Sequence, residues 1–204
     1  GGRDAAVIAR ACELGVAMQL TNVARDVGED AGRGRVYLPL DWLHAEGIDP
    51  DTWLADPRHS AALGRVTEKL LHFADALYER AAPGIAELPA GCRPAMHAAH
   101  LLYREIGHEV RRRGHDSVAS RAVVPWSRKS LRLAAAAWAS LRPPRAMAGA
   151  MLDEVRFLVT AGADAVRPDA TPTGIEGHVV WLVDLFMRLE ERDRSPGLSA
   201  GAAS

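Results

Sequence analysis

Between Gln19 and Asp30 the chain reads Q-L-T-N-V-A-R-D-V-G-E-D, and four of those residues carry oxygen donors at helical spacing. At about 3.6 residues per turn, Gln19, Asn22, Asp26 and Asp30 fall within roughly 80° of one another. The adjoining arc is apolar, with Val16, Ala17, Leu20, Val23, Ala24 and Val27. Carboxylates four residues apart suit a hard cation such as Mg²⁺, which takes one or two protein carboxylates and completes its shell with water and phosphate oxygens. A D-x-x-x-D pair by itself also fits an ordinary solvated helix face. The neighbouring arginines add weight to the metal reading: Arg25 flanks the same stripe, and Arg33 and Arg35 come next in a Gly-punctuated G-R-G-R loop before Tyr37 and Pro39. Guanidinium forks pair with phosphate oxygens that a metal leaves unneutralised, so metal carboxylates followed by arginines suit a diphosphate–Mg²⁺ complex.

The segment L-G-V-A-M-Q-L-T-N-V-A-R-D-V-G-E-D-A-G-R-G-R-V-Y-L-P, from Leu14 to Pro39, closely resembles the second aspartate-rich motif of the squalene/phytoene synthase family. The similarity continues in L-Y-E-R-A-A-P-G-I (77–85), in L-Y-R-E-I-G-H-E-V-R-R-R-G-H-D-S-V (102–118), in R-A-V-V-P (121–125) and in V-D-L-F-M-R-L-E-E-R-D (183–193). Among the subgroups these read most like bacterial phytoene synthases. The resemblance implies an all-α isoprenoid synthase bundle and Mg²⁺, or Mn²⁺ in its place, held by Asn22, Asp26 and Asp30. It implies that Gln19, Arg25, Arg35, Tyr103 and Arg121 grip a prenyl diphosphate, and that Asp26, Asp30 and Tyr37 serve the chemistry. The implied reaction is head-to-head condensation of two geranylgeranyl diphosphates to phytoene, in carotenoid biosynthesis. A squalene-type or hopanoid-pathway synthase using farnesyl diphosphate is the alternative enzyme, and a non-catalytic assembly factor of the same fold the alternative of another class. Such assembly factors tend to lose the acidic motif, and Asn22, Asp26 and Asp30 are all present here.

The family carries a further acidic motif upstream of this one. Only eighteen residues precede Gln19, and they hold Asp4 and Glu13 but no D-x-x-x-D. The expectation is therefore that residues 1–194 form the C-terminal portion of one synthase domain, N-terminally incomplete, with 195–204 a disordered tail. A region supplied by another chain would then complete the site, and the chain alone would turn over little.

Helices must position these groups, because helical periodicity dominates and strand signals are sparse. The pattern predicts helices over about 3–30, a short one after Pro39, then 60–82, 94–113, 127–141, 145–161 and 176–192. Loops are expected around Asp49-Pro50-Asp51 and Asp56-Pro57, at 89–93 and over 162–174, and Pro83-Gly84 is expected to stop the 60–82 helix. Arg111, Arg112 and Arg113 before Gly114 make a C-terminal signature of basic charge and a residue suited to a left-handed backbone.

The remaining chemistry-bearing residues read as structural. His97, His100 and His108 share a helix without a third ligand in register, and Asp75 and Glu79 sit with Arg65, Lys69 and Arg80 on a face expected to be solvated. No G-x-G-x-x-G follows a strand, so no nicotinamide-binding fold is indicated. A formal net charge of −1 on 204 residues advertises neither nucleic acid nor an anionic membrane. Cys12 and Cys92 make no disulfide framework, and no apolar run approaches the ~18 uncharged residues of a membrane span. The expected place is the cytoplasm, with peripheral contact at the inner membrane face open to a lipid-handling enzyme.

Overall fold

The structure, a computed structural model, describes residues 5–142 together with 152, 153, 156, 159 and 160. Every regular element among the described residues is helical: α1 (Ala5–Arg25), α2 (Val27–Ala31), α3 (Leu40–Ala45), α4 (Pro50–Ala55), α5 (Ala61–Ile85), α6 (Arg93–Arg112) and α7 (Trp126–Ala139). The helices expected over 145–161 and 176–192, the loop over 162–174 and the tail at 195–204 lie largely or wholly outside the described residues.

α1 and α5 form the spine. Leu14 and Ala17 of α1 meet Ala74, Tyr78, Ala81 and Ile85 of α5 in one apolar cluster. Ala24 joins Leu63, Val66, Leu70 and Leu71 in a second cluster, closed by Leu38, Leu43, Val110 and Ala122. Small residues at the crossing let the two backbones approach, and the closest point explains one departure from expectation. Helix α5 does not stop at Pro83-Gly84 but runs on to Ile85. A Cβ on Gly84 would lie 2.5 Å from Cβ of Arg10, so this glycine serves the packing of α5 on α1 and not a helix end.

Several polar side chains inside the spine pair across it. Glu13, fully buried, accepts from Arg10 Nη1 at 2.6 Å and from Arg80 Nη2 at 2.7 Å. The Thr21 and Tyr78 hydroxyls bond at 2.9 Å. His100, read from sequence as structural, is a core residue, hydrogen-bonded through Nε2 to the Tyr78 carbonyl at 3.0 Å. Asp75 and Glu79 do not face bulk solvent alone: Arg104 reaches both, and Arg111 reaches Asp75 at 2.7 Å, so they tie α5 to α6.

Two other expectations are corrected. The stretch at 50–55 is a helical turn, because Asp49 accepts the Thr52 N–H at 2.9 Å as N-cap and Pro50 pre-sets the first helical φ. The helix expected to run unbroken to Asp30 breaks at Asp26 (φ −101°, ψ 15°) and restarts as α2. Gly114 adopts the expected left-handed backbone (φ 66°), and His115 follows it at φ 63°.

Candidate active site

The break at Asp26 builds the site. As the residue before α2, Asp26 would ordinarily turn its carboxylate onto the first free N–H groups of that helix. It makes no such cap. The Gly28 N–H instead donates to the Ser117 carbonyl at 2.9 Å. That contact requires glycine, since a Cβ at position 28 would sit 2.4 Å from the Val118 carbonyl oxygen. With the backbone donor satisfied from outside, the Asp26 carboxylate is released to the side. The i→i+4 backbone bonds Asp26–Asn22 (2.9 Å) and Asp30–Asp26 (2.8 Å) survive, so Asn22, Asp26 and Asp30 keep nearly helical register across the break.

The loop that supplies Ser117 also supplies Arg121. It is anchored at several points. His115 Nε2 lies 2.8 Å from Glu68, Asp116 accepts the Val118 and Ala119 N–H groups at 3.0 Å each, and Arg113 donates to the Arg121 carbonyl at 3.0 Å. Arg121 Nε then donates to Asp26 Oδ1 at 2.8 Å and approaches Glu29 at 3.6 Å. Arg25 closes the other side as a fork, Nε to Oδ1 at 2.7 Å and Nη2 to Oδ2 at 2.8 Å. Burial alone would push the Asp26 carboxyl up; the two guanidiniums outweigh it and hold the group below its ordinary value. Asp30 goes the other way, raised by burial and then by the Asp26 charge, against the opposing pull of Arg33 and Arg35.

Asn22 is the most telling residue. Its Oδ1 is buried and accepts no hydrogen bond among the described residues. An orphaned amide oxygen is costly, roughly 1–3 kcal/mol, unless a ligand supplies the missing partner. An amide oxygen and two carboxylates in one register are the hard-oxygen donor set of an Mg²⁺ site. The fit is one-sided: among the described residues no three His, Cys, Asp or Glu side chains converge as a metal cluster.

The other expected residues divide. Asp30, Arg35 and Tyr37 line one small cleft with Val23, Val27 and Trp53. Arg35 and Tyr37 are exposed, and the Arg35 N–H donates to the Asp30 carbonyl at 2.9 Å. Arg33 pairs with Glu29 at 2.7 Å. Gln19 is exposed a turn before Asn22. Tyr103 packs on the Leu14–Tyr78 cluster, and no hydrogen bond among the described residues joins it to Asn22, Asp26 or Arg121. Ser117, Gly28 and Glu29 were not singled out from sequence. A glycine inside D-V-G-E-D was the available signal, since glycine in a helix costs about 1 kcal/mol and marks a close approach.

Comparison with known proteins identifies the family. The family model described as squalene/phytoene synthase matches residues 1–130. A phytoene synthase of Cereibacter sphaeroides is 43% identical over 197 residues, covering 94% of this chain and 54% of its own length. One of Rhodobacter capsulatus is 43% identical over 199 residues, covering 94% and 56%. The chain thus spans about half the length of the curated relatives it matches. A crystal structure of a dehydrosqualene synthase in complex with ligand superposes with a TM-score of 0.56 at 32% identity, over 63% of this chain and 45% of that one. The helical architecture is that of the isoprenoid synthases, and the chain belongs to the squalene/phytoene synthase family.

Proposed function

We propose that this chain forms one wall of a phytoene synthase-type site, in which two geranylgeranyl diphosphates condense head to head to phytoene. The observation that carries the proposal is the buried, unpartnered Asn22 Oδ1 beside an Asp26 carboxylate held by Arg25 and Arg121. Asn22, Asp26 and Asp30 would hold Mg²⁺, with Mn²⁺ able to replace it. When bound, that ion supplies charge neutralisation for a departing diphosphate. The chain's own groups do the rest. Arg25 and Arg121 are charged donors already gathered at the carboxylate, and both can turn a fork toward phosphate oxygens. Arg35 and Tyr37 stand at the mouth of the adjoining cleft, where they can reach the same oxygens. Tyr103 enters this reading only through the resemblance, as a diphosphate contact, and Gln19 likewise.

Allylic ionisation leaves a carbocation that water would quench, so the apolar helix faces beside the stripe serve to exclude water. The 43% identity to bacterial phytoene synthases over 94% of the chain favours the C20 substrate over farnesyl diphosphate. The cytoplasm is the proposed location; no described helix is long and apolar enough to cross a membrane. The test is calorimetry of the chain with Mg²⁺ and inorganic pyrophosphate, followed by product analysis with C15 and C20 diphosphates in the presence and absence of the upstream half of a full-length relative. Binding and a C40 product support the proposal. A C30 product would replace the substrate assignment, and absence of any pyrophosphate binding would sink the site.

A further inference from the structure

Helix α6 ends in a Schellman motif. The Gly114 N–H donates to the Arg111 carbonyl at 2.9 Å and the His115 N–H to the Val110 carbonyl at 3.0 Å, with Gly114 left-handed at φ 66°. That motif requires one left-handed residue, and glycine fills it. His115 comes next and is left-handed as well, at φ 63°, the one non-glycine with a positive φ among the described residues. The backbone disfavours a side chain at such a position, so what holds His115 there lies outside the helix end. It is a seat on α5. The His115 Cβ stands 3.7 Å from where a Cβ on Gly64 would lie. One turn further along α5, Glu68 meets His115 Nε2 at 2.8 Å, and Arg111 of α6 donates to the same oxygen at 2.9 Å. Burial pushes the Glu68 carboxyl up, but the hydrogen bonds from Arg111 and His115 outweigh it and hold it below its ordinary value. An ionised carboxylate only accepts, so His115 Nε2 carries the donated proton.

Taking the Asp26 site to bind diphosphate, we propose that His115 is a positioning residue, which places Arg121 on Asp26 by seating the loop between them on Glu68. Just beyond the seat, the Ser117 carbonyl receives the Gly28 N–H and Arg121 Nε reaches Asp26 Oδ1 at 2.8 Å. The loop's other ties act differently. Asp116 bonds to the loop's own Val118 and Ala119, and Ser117 bonds to α2, which is part of the site. Val118 and Ala122 pack against the α5 cluster on either side of Arg121, but apolar contacts are not directional. The bond from His115 to an ionised carboxylate is directional, and it sets the register in which the loop meets α5. A guanidinium fork grips phosphate oxygens only when it is well aimed, so this register matters to the ligand.

The experiment begins with NMR of the full 204-residue chain, carrying nitrogen-15 arginine and no ligand. The Arg121 Nε–H signal, identified by its loss in Arg121→Ala, reports the bond to Asp26 through its exchange with water. His115→Gly is expected to speed that exchange several-fold, and Glu68→Ala to do the same. Glycine relieves the left-handed backbone while giving up the Glu68 bond, so the melting temperature of His115→Gly should change little, which separates lost positioning from lost structure. Titration with inorganic pyrophosphate in saturating Mg²⁺ should show the affinity of His115→Gly lower by about fivefold. Adding His115→Gly to Arg121→Ala should cost no further affinity, because His115 acts through Arg121. The inference is overturned by unchanged exchange in His115→Gly, by faster exchange there but not in Glu68→Ala, or by a collapse of the melting temperature. A His115→Gly affinity equal to the parent's, or losses that add in the double variant, would also overturn it. If the parent binds no pyrophosphate, the diphosphate reading fails, while the Nε–H exchange still decides whether His115 places Arg121.

Discussion

In the proposed site Asp26 has two roles that compete. Its oxygens are already shared among three guanidinium N–H groups, so a cation arriving alone must displace Arg25 or Arg121 from the carboxylate. A cation arriving with diphosphate offers each displaced arginine a new anion, which makes the pair of ligands bind better together than either does alone. Arg121→Ala separates the two contributions. It removes one competitor for Asp26, so affinity for Mg²⁺ alone should rise severalfold, while affinity for pyrophosphate in saturating Mg²⁺ should fall about tenfold or more. Asp26→Asn should weaken both, and in a complete synthase should cut turnover by orders of magnitude. Isothermal titration with each ligand singly and together reads the pattern. An Arg121→Ala variant with unchanged affinities would remove that residue from the site. Gly28 supports the same geometry from behind. Gly28→Ala must push the Ser117–Val118 backbone away, at a cost of about 1–3 kcal/mol. A thermal melt combined with pyrophosphate titration should show both stability and binding reduced, because the displaced loop carries Arg121.

At the level of elements, Arg128 and Arg132 of α7 both pair with one carboxylate of α6, Glu105. Burial raises the Glu105 carboxyl, but Arg132 and Arg112 outweigh it and bring its pKa down to about 2 from the ordinary 4.5. A depressed acid stabilises the fold above its unfolded value and loses that contribution as pH falls toward the folded one. The α6–α7 joint should therefore hold unchanged above pH 4.5 and weaken progressively between there and about pH 2. Glu105→Gln should remove the dependence at any pH and cost about 2 kcal/mol. Fully buried pairs lose roughly 3–5 kcal/mol, but here the arginines are a third or more exposed. Hydrogen exchange of α7 amides across that pH range, with and without the substitution, checks it. The elements themselves were largely legible, because each carries a local signature: the 3.6-residue period of α5, the three arginines and Gly114 closing α6, Pro125 before α7. Two of the errors share one cause. The break at Asp26 arises from Ser117, more than eighty residues away, and α5 runs through Pro83-Gly84 because Arg10 packs there. Neither partner is visible in a local window. At the site the residue types were legible, and so was the stripe. That the Asp26 carboxylate is freed by a carbonyl from a distant loop was not, since it depends on tertiary contact. The α4 turn is a different case: Asp49 before Pro50 was a readable cap passed over in favour of a loop.

On the scale of the whole molecule, ligand binding and stability should be linked through α1. That helix carries Asn22 and Arg25 at one end and Arg10 with the buried Glu13, which pairs with Arg80 of α5, toward the other, with Thr21 bonded to Tyr78 of α5 between them. A ligand that fixes the Asp26 end therefore binds a surface existing only when α1 is docked on α5, and its binding energy adds to that docking. Mg²⁺ with pyrophosphate at a hundredfold excess over Kd contributes about 2.7 kcal/mol, which for a chain of this size raises Tm by roughly 5–10 °C. Mg²⁺ alone should give much less, because it must break the Asp26–arginine bonds without offering the arginines a replacement. The same reasoning limits catalysis. The described wall presents Asp26, Asp30 and the orphaned Asn22 oxygen from one side only, whereas ionising an allylic diphosphate requires charge neutralisation around the whole leaving group. Incubated alone with geranylgeranyl diphosphate and Mg²⁺, the chain should be thermally stabilised yet form phytoene slowly or not at all. Robust phytoene formation would show that the described wall, with whatever else the 204 residues contribute, is sufficient for the reaction. Absence of a thermal shift in a chain that does bind pyrophosphate would break the link between Asp26 and the docking of α1.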